Sequence, residues 1–454
     1  MKQDLLYRLR QGEPLSRREQ IALIVRLSLP AIMAQISHTV MQYIDASMVG
    51  ELGAEASASI GLVSSTTWLI NGLCTAAVTG FTVQVAQRIG AGEEKKARDL
   101  MKLGFWCAVG VGVILMLIGV LLAPVLPSWL GGKGEQLLQD SFWYFLIYAL
   151  SLPIVQFCHV SSGMLQASGN MRVPSILHVL MCGLDIVFNY LFIFMLDMGV
   201  AGAAIGTALA HAVGAVLMTY FLLVRSPMLR LRRGEKAVYE KAYLQEGWRI
   251  AWPVALQQAV TNGAQIVSTA IVAPLGNISI AANSFAVTAE SLAYMPAFGI
   301  ASAATTLIGQ SIGAKRTDLT RRLGWLTLLF GTGLMAVVGG ILYLAAPFMM
   351  GLLSPDAAVV DLGVQVLRIE AFAEAFYGAS IIATGIFRGA GDTAIPSLFN
   401  FVSMWVVRLP LAAVLAPRVG LVGVWTAMAI ELTVRGILFI VRMTGRKWHS
   451  RILS

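Results

Sequence analysis

The sequence predicts an all-α polytopic membrane protein, with twelve transmembrane helices in two six-helix bundles related as parallel repeats. Three observations carry this. Of 454 residues, 57% are hydrophobic and only 13% charged, against roughly 25% charged in soluble domains. Twelve apolar stretches each approach the ~20 residues that a helix needs to cross hydrocarbon. The second half of the chain also repeats the pattern of the first. So few charges cannot cover a soluble protein's surface, which argues against a soluble enzyme, a nucleic-acid binder or a disordered scaffold. The formal net charge of +9 is the excess that sets membrane orientation and meets anionic lipid.

The expected spans are 25–48, 60–84, 103–126, 142–166, 173–196 and 200–224 in the first half. Those of the second half are 250–272, 282–308, 324–348, 364–387, 395–416 and 420–441. Backbone groups in lipid have no water to bond, so such runs must be helical. With the N-terminus inside, 28 Lys and Arg fall inside and two, Lys133 and Arg418, outside; Arg368, Arg408 and Arg435 lie within spans. This asymmetry places both termini in the cytoplasm of a plasma (bacterial inner) membrane. Residues 1–20 are polar and charged, so the first apolar segment reads as a retained helix and not a signal peptide. Cys74, Cys107, Cys158 and Cys182 lie within apolar segments with no CxxC spacing and read as small buried hydrophobes.

The longest polar stretch between spans, 225–249, divides an N-terminal lobe (1–224) from a C-terminal lobe (250–454). A shift of 223 residues aligns Pro30 with Pro253, Gln35 with Gln258, Gln42 with Gln265 and Gly53 with Gly276. It also aligns Gln87-Arg88-Ile89-Gly90-Ala91 with Gln310-Ser311-Ile312-Gly313-Ala314. At 222 Gly169 meets Gly391, and at 221 Gly199 meets Gly420. Six spans per half put both halves in one orientation, and a ligand site near the midplane between repeats is the expected transporter architecture.

A charge inside the bilayer is costly and marks function. On the first span Gln35, His38, Gln42 and Asp45 form one polar stripe ending in a carboxylate. The matching second-half positions, Gln258, Thr261, Gln265 and Ser268, are polar without an acid. Asp185 and Asn189 lie one turn apart on the fifth span, with His178 two turns earlier, and Thr207 and His211 one turn apart on the sixth. Asp45, Asp185, Asn189 and Thr207 offer hard oxygen ligands suited to sodium; the same carboxylates could instead carry protons. In the second half, Glu290, Glu370, Glu374 and Tyr377 are candidates for contacting cationic substrate, and Gln35, Gln42, Gln258 and Gln265 line the expected cleft. Arg368 could snorkel or pair with an acid, and Arg408 is expected to pair with a buried acid. Pro30 and Pro253 lie early in the first span of each repeat, where a missing backbone bond permits bending. Catalytic and phosphate-binding motifs are absent: Gly389-Ala390-Gly391-Asp392-Thr393 lacks the P-loop Lys and reads as a helix cap.

The repeated Gln-Arg-Ile-Gly-Ala and Gln-Ser-Ile-Gly-Ala, with Phe387-Arg388-Gly389-Ala390-Gly391-Asp392-Thr393-Ala394-Ile395-Pro396, resemble the multidrug and toxic compound extrusion (MATE) family over essentially the whole chain. The resemblance implies a cleft opening alternately to either side, and export of amphipathic, often cationic compounds driven by entry of Na+ or H+. Asp45, fifteen residues after Pro30, looks like the first-helix acid and bending proline of the DinF-type branch. Asp185, Asn189 and Thr207 match that branch's N-lobe cation site, with Asp before Asn where the archaeal pattern has the reverse. Residues 250–272 contain no Asp or Glu, so the seventh-helix acid of the NorM-type branch is missing. Glu290 resembles a glutamate common in bacterial members.

The leading expectation is therefore a multidrug antiporter, not an enzyme, with drug or toxin substrates, lipid contacts and Na+ or H+ as coupling ion. No other cofactor and no nucleic-acid partner are expected, and the chain is read as a monomer. A lipid-linked oligosaccharide or lipid flippase of the same superfamily is the alternative. Such a cargo would call for Arg or Lys in the cleft, whereas acids outnumber bases within these spans.

Overall fold

The computed structural model describes residues 5–232, 234–235, 238–445 and 448. Of the basic residues assigned to the inside, Lys2, Arg233, Lys236, Arg446, Lys447 and Arg451 lie outside the described residues. The first half holds α1 (Leu5–Arg10), α2 (Arg17–Gly50), α3 (Ala54–Gly90), α4 (Glu94–Leu122), α5 (Leu126–Trp129), α6 (Glu135–Ala167), α7 (Arg172–Tyr190) and α8 (Gly199–Tyr220). The second holds α9 (Lys241–Val272), α10 (Asn277–Gly313), α11 (Thr317–Leu353), α12 (Ala357–Gly389), α13 (Ala394–Val402), α14 (Leu409–Val419) and α15 (Leu421–Thr444). Counting α13 and α14 as one interrupted helix, each half has six long helices. Ten are long and apolar enough to cross a membrane; the other two, α9 and α12, carry Gln257, Gln258 and Gln265, and Glu370 and Glu374, within their length.

The helices outrun the expected spans. The second span was expected over 60–84, but α3 runs for 37 residues, about 55 Å at 1.5 Å per residue. Hydropathy marks only the apolar middle of a helix, whereas hydrogen bonding carries it on through its polar ends. The fifth and eleventh spans are not plain α-helices. A π-helical turn, Leu191–Met195, follows α7, and another, Ser403–Arg408, joins α13 to α14.

The repeat is written in the backbone. Gly53 and Gly276 precede α3 and α10 with φ of 116° and 94°, and Gly169 and Gly391 have 91° and 74°. After α3 and α10 the chain leaves the helix through a left-handed residue, Gly92 in the first half (φ 76°) and Lys315 in the second (φ 56°). The Lys315 N–H then donates to the Ile312 carbonyl and the Arg316 N–H to that of Ser311. This caps the helix with a side chain where glycine is the favoured residue. At Gly389-Ala390-Gly391-Asp392-Thr393, the Gly391 and Asp392 N–H groups donate to the Arg388 and Phe387 carbonyls, so the segment is a helix cap.

Two compact units form. One contains the described residues of Met1–Ile32 and Leu256–Ile452, the other those of Met33–Ala255. The chain passes between them inside α2 and inside α9, at positions 223 residues apart and two residues after Pro30 and Pro253. Residues 225–249, expected as the boundary between lobes, fall within the second unit. There the Arg98 guanidinium grips Glu235 with two bonds of 2.8 and 2.7 Å and donates to the Met228 carbonyl at 3.1 Å. A Cβ on Gly80 would meet the Gly247 carbonyl oxygen at 2.3 Å, so α3 and α9 approach as only glycine allows. In the first unit α1 is docked by Arg10, which donates twice to Gln310 Oε1, and the Gly12 carbonyl accepts from Arg316. Cys74, Cys158 and Cys182 are buried as expected, whereas Cys107 is half-buried.

Candidate functional site

The polar stripe of α2 meets α7 at Asp45. The Asn189 side-chain amide donates to Asp45 Oδ1 at 2.7 Å and to Asp185 Oδ2 at 3.2 Å. One NH2 group thus bridges two carboxyl groups from different helices. Asp185 and Asn189 are fully buried, at 0% exposure, and Asp45 is half-buried. Asp185 Oδ1 and Asn189 Oδ1 are buried and have no hydrogen-bond partner. Buried polar atoms in native proteins are nearly always satisfied, so these two oxygens are a ready seat for a cation or a proton.

The sequence reading missed the residue that holds this geometry. A Cβ on Gly206 would lie 2.0 Å from Asn189 Oδ1, so the amide sits against bare backbone of α8. Thr207 is the next residue; its carbonyl holds His211 Nδ1 at 2.9 Å. The π-helical turn begins two residues after Asn189 and packs on α8, where a Cβ on Gly202 would meet Phe192 backbone at 2.8 Å. No sequence rule pairs a glycine on one helix with an asparagine on its neighbour.

The donor set is hard oxygen and suits sodium or a proton by chemistry. As placed, the N–H end of the Asn189 amide faces the acids and its oxygen faces Gly206. A proton needs only a carboxyl oxygen. A sodium ion sharing Asp45, Asp185 and Asn189 needs the amide turned over, so that its oxygen faces the acids.

The first unit gathers a different network. Glu290 on α10, Glu370 and Glu374 on α12, and Glu431 on α15 are all buried. Glu370 was expected near the outer interface, yet it is 0% exposed. Glu431 went unread, although Glu431 and Arg435 sit at i,i+4 in the last span and pair at 2.8 Å. Arg435 also donates to Asn400 Oδ1 at 3.1 Å and lies 5.5 Å over the Tyr377 ring, which meets Tyr294 edge-on. Arg408 places its Nη2 2.8 Å from the Met428 sulfur and feels the charges of Glu290 and Glu370. Arg368 pairs with no acid among the described residues; it lies 4.9 Å over the Tyr343 ring, a cation–π contact. Both oxygens of Glu370 and of Glu374 are buried without partners; a carboxylate so placed needs a proton or a cation. Gln35 and Gln258 are half-buried, and their repeat neighbours Gln42 and Gln265 are exposed.

A sequence model of the MatE family matches residues 30–191 and 253–414, one segment in each half and again 223 residues apart. The chain belongs to the MatE family. It is 30% identical over 444 residues to the "Probable multidrug resistance protein NorM" of Thermotoga maritima, covering 94% of this chain and 93% of that one. It is 28% identical to the protein of the same name from Pseudomonas syringae pv. tomato, over 91% and 92%. Among solved structures, the outward-facing conformation of a multidrug resistance MATE family transporter of the MOP superfamily superposes with a TM-score of 0.90. That match covers 98% of this chain and 100% of that one at 22% identity. A MATE in complex with MaL6 matches equally well. The relatives carry the NorM name, so they do not support placing the chain nearer the DinF-type branch.

Proposed function

We propose that the protein is a secondary active multidrug efflux antiporter. It exports amphipathic cationic organic compounds in exchange for protons or sodium, by alternating access, in a bacterial inner membrane with both termini in the cytoplasm. The observation that carries the reading is the buried pair of Asp45 and Asp185 bridged by Asn189. Two acids held together inside a membrane bundle favour a state that binds a cation. Binding can drive transport only if the two conformations bind that cation with different affinity. Thr207 completes the oxygen set, and Pro30 and Pro253 supply the turns at which α2 and α9 bend. Excess buried carboxyl groups in the first unit, with Tyr377 and Tyr294 beside them, suit a cationic aromatic cargo; Glu290 and Glu374 are its contacts. The NorM name of the relatives supports the same reading. A flippase of pyrophosphate lipids would need free basic side chains, and Arg435 is engaged by Glu431 and Asn400.

Ethidium efflux from proteoliposomes tests it. Asp45→Asn is expected to abolish gradient-driven efflux while the protein still folds and binds dye. Wild-type rates in that variant would overturn the assignment.

A further inference from the structure

Four of the five histidines belong to one unit and stand on four helices: His38 on α2, His159 on α6, His178 on α7 and His211 on α8. The fifth, His449, lies outside the described residues. Packing brings the last three to one level. The Cys158 sulfur, next to His159, is 3.9 Å from both the Met181 and the Met218 sulfurs. Met181 is three residues past His178, and its sulfur fills the space at Gly214, three residues past His211. His38 joins them: a charge on any one of the four rings is felt by the other three. All four residues are half-buried, and the Nδ1 atoms of His159 and His178 are buried without a partner. The Thr207 carbonyl can only accept, so His211 Nδ1 carries the hydrogen and the neutral ring keeps its lone pair on Nε2.

This layer is distinct from the carboxyl pair. His38 and His178 each precede the acid of their own helix by seven residues, about 10 Å along the axis. The layer therefore lies on the side of the acids from which α7 starts. The other titratable groups on the packed helices are Asp45 from α2, Tyr144 and Cys158 from α6, and Cys182 and Asp185 from α7. Cys74 and Cys107 lie on α3 and α4 behind α6. Thiols and phenols are neutral near pH 7, so the fixed charges able to steady an imidazolium here are those of Asp45 and Asp185.

We propose that His38, His159 and His178, with His211 held in one tautomer by Thr207, form a second proton-binding site, separate from the carboxyl pair, that takes one proton at a time. The proton comes from water and adds to a ring lone pair to give an imidazolium. No bond of the protein breaks, and the site's charge rises by one. Mutual repulsion within the layer resists a second proton. A proton held here favours ionised Asp45 and Asp185, and loading those acids favours its release. The histidine layer so deepens the antiporter reading by naming the proton as coupling ion, on which it rests.

The test is nitrogen NMR of full-length protein labelled with 15N-histidine, in sodium-free lipid nanodiscs from pH 5 to 8. Single His→Gln variants supply the assignments. About one imidazolium in total is expected within this layer across that window, where histidine charge changes. His178→Gln should move it to the remaining rings, and Asp45→Asn should reduce its population by up to roughly tenfold, as loss of a charge ~10 Å away implies. Rings that all stay neutral, or that charge independently of one another and of Asp45, would overturn the proposal. Neutral rings with efflux intact would refute this site and leave the antiporter standing; titrating rings without efflux would do the reverse.

Discussion

Asn189 carries the geometry of the acid site, and its grip depends on what is absent from Gly206. A methyl group there would lie 2.0 Å from Asn189 Oδ1, so Gly206→Ala must push the amide off one or both carboxyls. Such overpacking costs about 1–3 kcal/mol. The variant is expected to melt earlier in detergent and to lose most dye efflux; an unchanged melting temperature with full efflux would show that the contact is unimportant. The acids themselves were legible in the sequence, because a carboxyl group in an apolar span is conspicuous and the 3.6-residue period places Asp185 and Asn189 on one face. Gly206 was not, because a tight helix crossing involves residues distant in sequence. Glu431 could have been read from its i,i+4 spacing to Arg435, which shields both from the membrane.

At the scale of elements, the helix ends and the linker make separate predictions. Lys315 occupies the left-handed position that its repeat partner Gly92 fills with glycine. Relieving a side chain in that conformation gains about 1 kcal/mol, so Lys315→Gly is expected to raise the melting temperature; a lowered one would mean the lysine side chain has a compensating contact. The linker is held by Arg98, 3% exposed, on Glu235. The guanidinium beside Glu235 holds its carboxyl below the usual range. That stabilisation is complete at neutral pH and is lost as pH falls through the lowered value. Glu235→Gln should loosen the linker even at pH 7, since removing one partner leaves Arg98 buried and unpaired. Limited proteolysis should then cut within residues 226–240 several times faster than in wild type, and equal rates would show that the pair does not clamp the segment. Sequence showed this segment only as a polar break between halves; its attachment depends on a pair 137 residues apart.

Across the whole molecule, one duplicated scaffold carries two different interiors. The repeat was legible because the same turns recur at shifts of 223, 222 and 221 residues. The division of the chain into units was not, because both crossings lie inside uninterrupted helices, where neither composition nor hydropathy changes. The second unit pairs two acids through an amide beside a histidine layer. The first packs four glutamates around two arginines. That asymmetry assigns cation coupling to one unit and cationic cargo to the other.

The most direct test is ethidium efflux from proteoliposomes under an imposed pH gradient, and separately under a sodium gradient, with Asp45→Asn alongside. The account predicts efflux driven by the pH gradient and lost in the variant. Efflux driven by sodium alone would contradict the proton assignment, and no efflux under either gradient would contradict the antiporter itself.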